Sequence, residues 1–213
     1  MNREFALKLL TEKQGLLKRV LEFNHLLDDP ISLRTLKGTN FYENLKQNPQ
    51  SLRLLKRENL NLFNFEKIEN RFCLLSGDDL NKLSILLGCA IYSKKILHTV
   101  KASKLKLIKE DLGLDYYSFA TGRGQFYLNS KITSLFSKDD EIIFKNVKQS
   151  GLEVIFQIYH NVDADLKPYF QVENIEKYSL TTKISSDQYQ ILLFSVIKML
   201  RLEVCALCQE IFL

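Results

Sequence analysis

The sequence predicts a mostly α-helical fold: a compact multi-helix bundle with an irregular N-terminal third, read as one helical domain over residues 1–213, with 1–78 as a distinct subregion. Three observations predict it. The 213 residues include only 3 Pro and 8 Gly, too few turn-formers for a many-turned β-sandwich or for long linkers. Leu, Lys and Ile are the commonest residues, and these are tolerable to good helix formers. Apolar side chains also recur at helical spacing through most of the chain. An apolar content of 46% is enough for a sizeable core.

Arg3 to Leu27 reads as a helix, with Leu9, Leu10, Leu16, Leu17, Val20, Leu21, Leu26 and Leu27 near helical spacing. Asp28-Asp29-Pro30 ends it, because the residue before proline is pushed away from helical angles. Ile31 to Pro49 is irregular, Ser51 to Leu62 reads as a short basic helix, and Asn61 to Leu75 as a strand or an irregular segment.

Ser76-Gly77-Asp78-Asp79 opens a firmer element, with Asp78 or Asp79 as cap. That helix runs to about His98, with Leu83, Leu86, Leu87, Ala90, Ile91 and Leu97 on one broad side. Gly88 within it costs roughly 1 kcal/mol relative to alanine, which points to another helix packed close. A turn follows at Thr99–Ser103. A second helix then runs from Lys101 or Ala102 to Leu112, burying Leu105, Ile108 and Leu112, and Gly113 is placed to end it with positive φ. Tyr116, Tyr117 and Phe119 fall on a short helical turn, and Thr121-Gly-Arg-Gly124 is a loop.

Ser137, Asp139, Asp140 and Glu141 mark the next helix start, carrying Ile143, Val147, Val154, Ile155 and Ile158 and either passing through or bending at Gly151. Leu166 to Tyr178 supplies a shorter helical stretch. Ser185 or Ser186 caps the last helix, whose stripe Leu193, Val196, Ile197, Leu200, Val204, Leu207 and Ile211 is helical throughout. Its other side is also apolar, with Leu192, Phe194, Met199 and Leu202, so that helix is expected to be central or covered by a partner.

Charge narrows the function classes. Residues 1–150 hold 25 Lys/Arg against 17 Asp/Glu, and 151–213 hold 5 against 8. A mildly basic front and a mildly acidic tail suit protein docking at least as well as nucleic acid, which asks for a concentrated basic face. Met1 to Leu10 carries charges that break up any signal-type apolar core, and the apolar run Ile191–Leu213 is interrupted by Lys198, Arg201, Glu203 and Glu210. No membrane insertion is therefore expected, and a cytoplasmic location is. Cys73, Cys89, Cys205 and Cys208 read as reduced core residues; the C-x-x-C pair lacks a second Cys/His pair at ligand spacing.

No catalytic residue, cofactor site or metal site is assigned. His25, His98 and His160 belong to no metal-binding spacing and read as helix-end or surface residues. The Thr121–Gly124 loop matches neither a P-loop nor a dinucleotide fingerprint and reads as a flexible turn, and Asp139–Glu141 reads as a helix cap. The feature that stands out is Lys94, Lys95, Lys101, Lys104, Lys106 and Lys109, six lysines within sixteen residues. Three readings are open for them: a solvated face, a docking surface for an acidic protein, or a nucleic-acid contact. The last would ask for arginine and stacking aromatics between the charges, and arginine is scarce here.

The order of features from Leu86 adds a family resemblance. "LLGCA" opens it, the basic "SKKILHTV" leads through a turn, "LIKEDLG" ends a second helix and "LDYYSFA" follows; further on comes "SGLEVIFQIYHNVDADLKPYF". Over Leu80–Leu213 this resembles the accessory K protein of bacterial type III secretion systems, the SctK family (YscK, MxiK, OrgA). The first eighty residues do not share it: the His-Pro-Ser-Trp-type segment of the family has no counterpart in a chain without tryptophan. The resemblance implies a non-catalytic, largely helical cytoplasmic adaptor of the injectisome sorting platform, at the inner-membrane face of the apparatus. It implies as partners an SctD-like inner-membrane ring protein, through its cytoplasmic domain, and an SctQ-like pod protein. The alternative reading is a helical nucleic-acid-binding protein using the Lys94–Lys109 face.

Overall fold

The computed structural model describes residues 16, 19, 20, 23, 65–137, 142–172, 175 and 182–212. The fold is mostly α, and no strand occurs among the described residues. The expected helix over Ser51–Leu62 and the irregular Ile31–Pro49 lie outside them. The described residues include the α-helices α1 (Gly77–Leu97), α2 (Ala102–Leu112), α3 (Leu114–Thr121), α4 (Ser130–Phe136), α5 (Phe144–Asn161), α6 (Ser186–Met199) and α7 (Ala206–Ile211). The chain divides into two compact units: Leu75–Ala206, and the residues up to Leu74 together with those from Leu207.

In the unit that carries both chain ends, Leu16, Val20 and Phe23 are helical and buried, at offsets 0, 4 and 7 of one face. Phe65 meets Phe23 edge to face at 5.5 Å between ring centroids. Phe65–Leu75 does not form the strand allowed by its sequence. Glu69–Leu74 instead winds into a 3-10 turn, and the buried Arg71 makes it a staple: its Nε donates to Phe65 O at 2.8 Å and its Nη1 to Ile211 O at 3.2 Å. Burial pushes the Arg71 guanidinium below its ordinary pKa. Phe72 and Phe212 stack edge to face at 4.9 Å.

In the Leu75–Ala206 unit, α1 is the central helix. Its burial is not confined to one side, since Ile85, Cys89, Tyr92 and Ser93 are covered as well as Leu83, Leu86, Leu87, Ala90 and Ile91. Leu97, expected inward, is exposed. The cap is Ser76 rather than an aspartate: its Oγ accepts from Asp79 N at 3.1 Å while its hydroxyl donates to Asp79 Oδ2 at 2.7 Å. Helices α3, α4 and α5 pack against α1, as does the 3-10 turn Arg123–Phe126. The expectation at Gly88 holds and extends to Gly151, which α5 passes through without a break. A Cβ on Gly88 would lie 1.9 Å from Val147 O, and one on Gly151 1.7 Å from Ser84 O. Two bare backbones meet here, which only glycine permits.

Gly113, at φ +80°, ends α2 and opens α3. Helix α2 buries Ile108 and Leu112, with Leu105 only half-covered. Helix α4 is capped by Asn129, whose side-chain oxygen accepts from Ile132 N at 2.8 Å. Helix α5 starts at Phe144, later than the acidic cluster suggested; Asp139–Glu141 lie outside the described residues, and Ile143 at the N-cap offers no side-chain acceptor. The acceptor comes from α2 instead: the Asp111 carboxylate takes the Phe144 backbone N–H. After α5 the chain forms a short 3-10 turn, Ala164–Tyr169, where a longer helical stretch to Tyr178 was expected; of the residues beyond Phe170 in that stretch, only 171, 172 and 175 are described.

Helix α6 carries the expected Ser185 cap in a full capping box with Gln188, at 3.3 Å and 2.9 Å. The stripe to Ile211 is not one helix. The backbone widens to a π-helix over Leu200–Val204, Cys205 is extended at φ −155°, and α7 starts afresh at Ala206. Lys82 Nζ donates to Val204 O at 2.7 Å, satisfying a carbonyl that the break leaves open.

Candidate docking surface

The six lysines are placed by the end of α1 and by α2. Lys94 and Lys95 occupy the last turn of α1, where a cation complements the negative end of the helix dipole. Lys101 precedes α2, and Lys104, Lys106 and Lys109 project from it. All but Lys95 are exposed. Three have partners: Lys95 Nζ lies 5.6 Å from the Tyr92 ring centroid, Lys109 Nζ 4.8 Å from that of Tyr117, and Lys106 makes an i,i+4 pair with Glu110 at 3.8 Å. Tyr116, on the same helix as Tyr117, has its phenol pKa raised, first by burial and then by the neighbouring Cys89 and Asp115.

The structure adds an apolar component to this face. Val100 is 91% exposed, Leu107 64% and Leu114 74%, and Leu97 is also uncovered. Leu107 falls outside the 105, 108, 112 stripe and so lies away from the core side of α2, while the exposure of Leu97 and Val100 depends on where α1 ends. Glu110 and Asp111 interrupt the positive charge on α2, so this face is amphipathic with mixed sign.

His98 is the exposed C-cap of α1 and His160 is exposed near the end of α5, while His25 lies outside the described residues. Among the described residues no three His, Cys, Asp or Glu side chains gather to hold a metal ion. The four cysteines are thiols; Cys73, Cys89 and Cys208 are buried, and burial pushes Cys89 up to about 12. Cys205 sits in the extended break rather than inside a helix.

Thr121–Gly124 is not a loose turn. Arg123 opens a 3-10 turn and reaches Glu203 at 2.8 Å, and Gly124 sits against Phe119 too closely for a Cβ, 2.9 Å from its carbonyl. Tyr127 Oη donates to Glu203 Oε1 at 2.6 Å. The Glu203 side chain is only 7% exposed, so these two donors compensate a carboxylate withdrawn from water. Burial, then the bond to Glu203, holds the Tyr127 phenol far above its ordinary range. No spacing rule foreshadows this trio, because its members are distant in the chain.

A cleft of about 750 Å³ opens between the start of α1, the first half of α5 and Gln171–Val172. Asp78, Lys145 and Lys148 line it with charges of both signs, so it offers no single-sign field to an ionic ligand. No helix among the described residues is long and apolar enough to cross a membrane. A comparison with protein-family models, curated proteins and solved structures finds no match to this chain.

Proposed function

We propose that this chain is a non-catalytic helical adaptor, and that the face formed by the end of α1 and by α2 docks a partner protein. The observation that carries this reading is the mixture on one side of α2: exposed Lys101, Lys104 and Leu107 recur at spacings of three, with Val100 and Leu114 exposed just before and just after the helix. Charge steers an acidic partner, while the apolar side chains supply area to be buried once it arrives. A phosphate-tracking surface is a poorer fit, since Glu110 and Asp111 lie among the lysines and Lys109 already stacks on Tyr117.

The partners come from the sequence resemblance: an SctD-like ring protein's cytoplasmic domain and an SctQ-like pod protein, bridged in the cytoplasm beneath a type III secretion apparatus. Purified chain is expected to bind at least one of them by biolayer interferometry at modest salt. Lys101→Glu with Lys104→Glu should weaken that binding by about tenfold or more, mainly through slower association. Binding to neither protein, or equal binding to the charge-reversed variant, overturns the proposal.

A further inference from the structure

The outer face of α6 carries a second surface, independent of the lysine face. Asp187, Ile191, Phe194, Lys198 and Leu202 follow one another at spacings of 4, 3, 4 and 4, which places them on one side of the helix. All five are exposed, Phe194 by 72% and Leu202 by 61%. The opposite side is fully covered, with Leu192, Val196 and Met199 inaccessible. The widened turn at Leu200–Val204 sweeps a smaller angle per residue than an α-helix, so it keeps Leu202 in line with Phe194 and Lys198.

Charge along this stripe is ordered around Phe194. Asp187 stands seven residues before it, and Arg201 seven residues after it, with Lys198 between. Asp187 is about 10 Å along the axis from Phe194, and the half-buried Arg201, whose last steps run in the widened turn, slightly less. The acidic residue at the basic end, Glu203, is withdrawn into the protein by Arg123 and Tyr127, so it does not cancel Lys198 and Arg201. An antiparallel copy of the same helix, related by a two-fold axis at Phe194, therefore sets Phe194 against Phe194 and Asp187 of each copy against Arg201 of the other. The helix dipoles are then also opposed. A surface complementary to itself about a two-fold is the signature of an isologous contact.

We propose that two copies of this chain associate through the α6 stripe, antiparallel about Phe194. The exposed apolar side chains are few, so the dimer is a weak one, populated over roughly 1–100 μM.

Sedimentation equilibrium of the full chain over that range tests it. The expected result is a reversible monomer–dimer equilibrium, with Phe194→Asp raising the dissociation constant at least tenfold. Asp187→Arg and Arg201→Asp should each be more monomeric alone, because each sets like charges opposite one another. An equimolar mixture of the two should recover association, since the mixed dimer restores both opposite-sign pairs. Circular dichroism checks that each variant remains helical; if Arg201→Asp unfolds, the Phe194→Asp and Asp187→Arg results decide. A chain that stays monomeric throughout overturns the proposal, as does a dimer indifferent to Phe194→Asp or folded charge variants that do not recover on mixing.

Discussion

Gly88 and Gly151 face each other where α1 crosses α5: a Cβ on Gly151 would lie 2.9 Å from the Gly88 backbone nitrogen. The helices thus touch through backbone at one point, and Ser84, Val147, Val154 and Tyr92 are buried around it. This contact sets how closely α5 approaches α1.

Alanine at either glycine is therefore expected to be costly. Gly88→Ala and Gly151→Ala should each lower stability by roughly 2–4 kcal/mol in urea denaturation, because backbone rather than a flexible side chain must move. Gly113→Ala isolates the backbone-angle cost, with nothing within 4 Å of the added Cβ and only φ +80° with ψ 157° to oppose it. That region is close to glycine-only, so the loss should be about 1–3 kcal/mol. No loss at Gly88→Ala or Gly151→Ala would show that backbone contact is not what matters.

Asp111 acts on α5 across a separation of 33 residues, accepting the Phe144 N–H that Ile143 leaves uncapped. Asp111→Ala should cost about 1 kcal/mol, a typical loss for a removed N-cap, and Asp111→Asn less, since the amide oxygen still accepts. Native-state hydrogen exchange should show the change first in the opening turn of α5.

The Arg123–Glu203–Tyr127 trio should behave as a unit. Tyr127→Phe leaves a Glu203 oxygen short of a donor and is expected to cost roughly 1–3 kcal/mol. In the Glu203→Gln background the same change should cost less, because a neutral amide needs less compensation. The double-mutant cycle then returns a coupling of about 0.5–3 kcal/mol. A coupling near zero would mean that the two side chains are near neighbours without energetic consequence.

Burial at Cys89 makes stability depend on pH at the alkaline end. Its folded pKa is raised from 9.0 to about 12. Above pH 9 the unfolded thiol gives up its proton while the folded one keeps it, so the unfolded state binds fewer protons and stability falls as pH rises. The contribution is complete below pH 9 and is lost progressively up to about 12, at up to about 1.4 kcal/mol per pH unit. Cys89→Ala, whatever it costs at pH 7, should flatten the decline of the urea midpoint between pH 9 and 10.5. An unchanged slope would assign the decline to other groups.

The division between sequence and tertiary structure follows the range of the interactions. Helical class, the starts near Ser76 and Ser185, the stop at Gly113 and the close approach at Gly88 were all legible, because each depends on local backbone chemistry or on one face of one helix. The lysines were legible as a cluster for the same reason. What the periodicity could not contain was the break at Leu200–Cys205: Leu193, Val196, Ile197, Leu200 and Val204 suit an unbroken helix, and the departure is stabilised by Lys82, distant in the chain, donating to Val204 O. Nor could it contain the cap Asp111 supplies to α5, the burial of Glu203, or which apolar residues of α2 and α6 stay uncovered. Those outcomes belong to tertiary structure, because a side chain's partners across tens of residues are set by how helices meet, and the composition of any one segment carries no record of its neighbours.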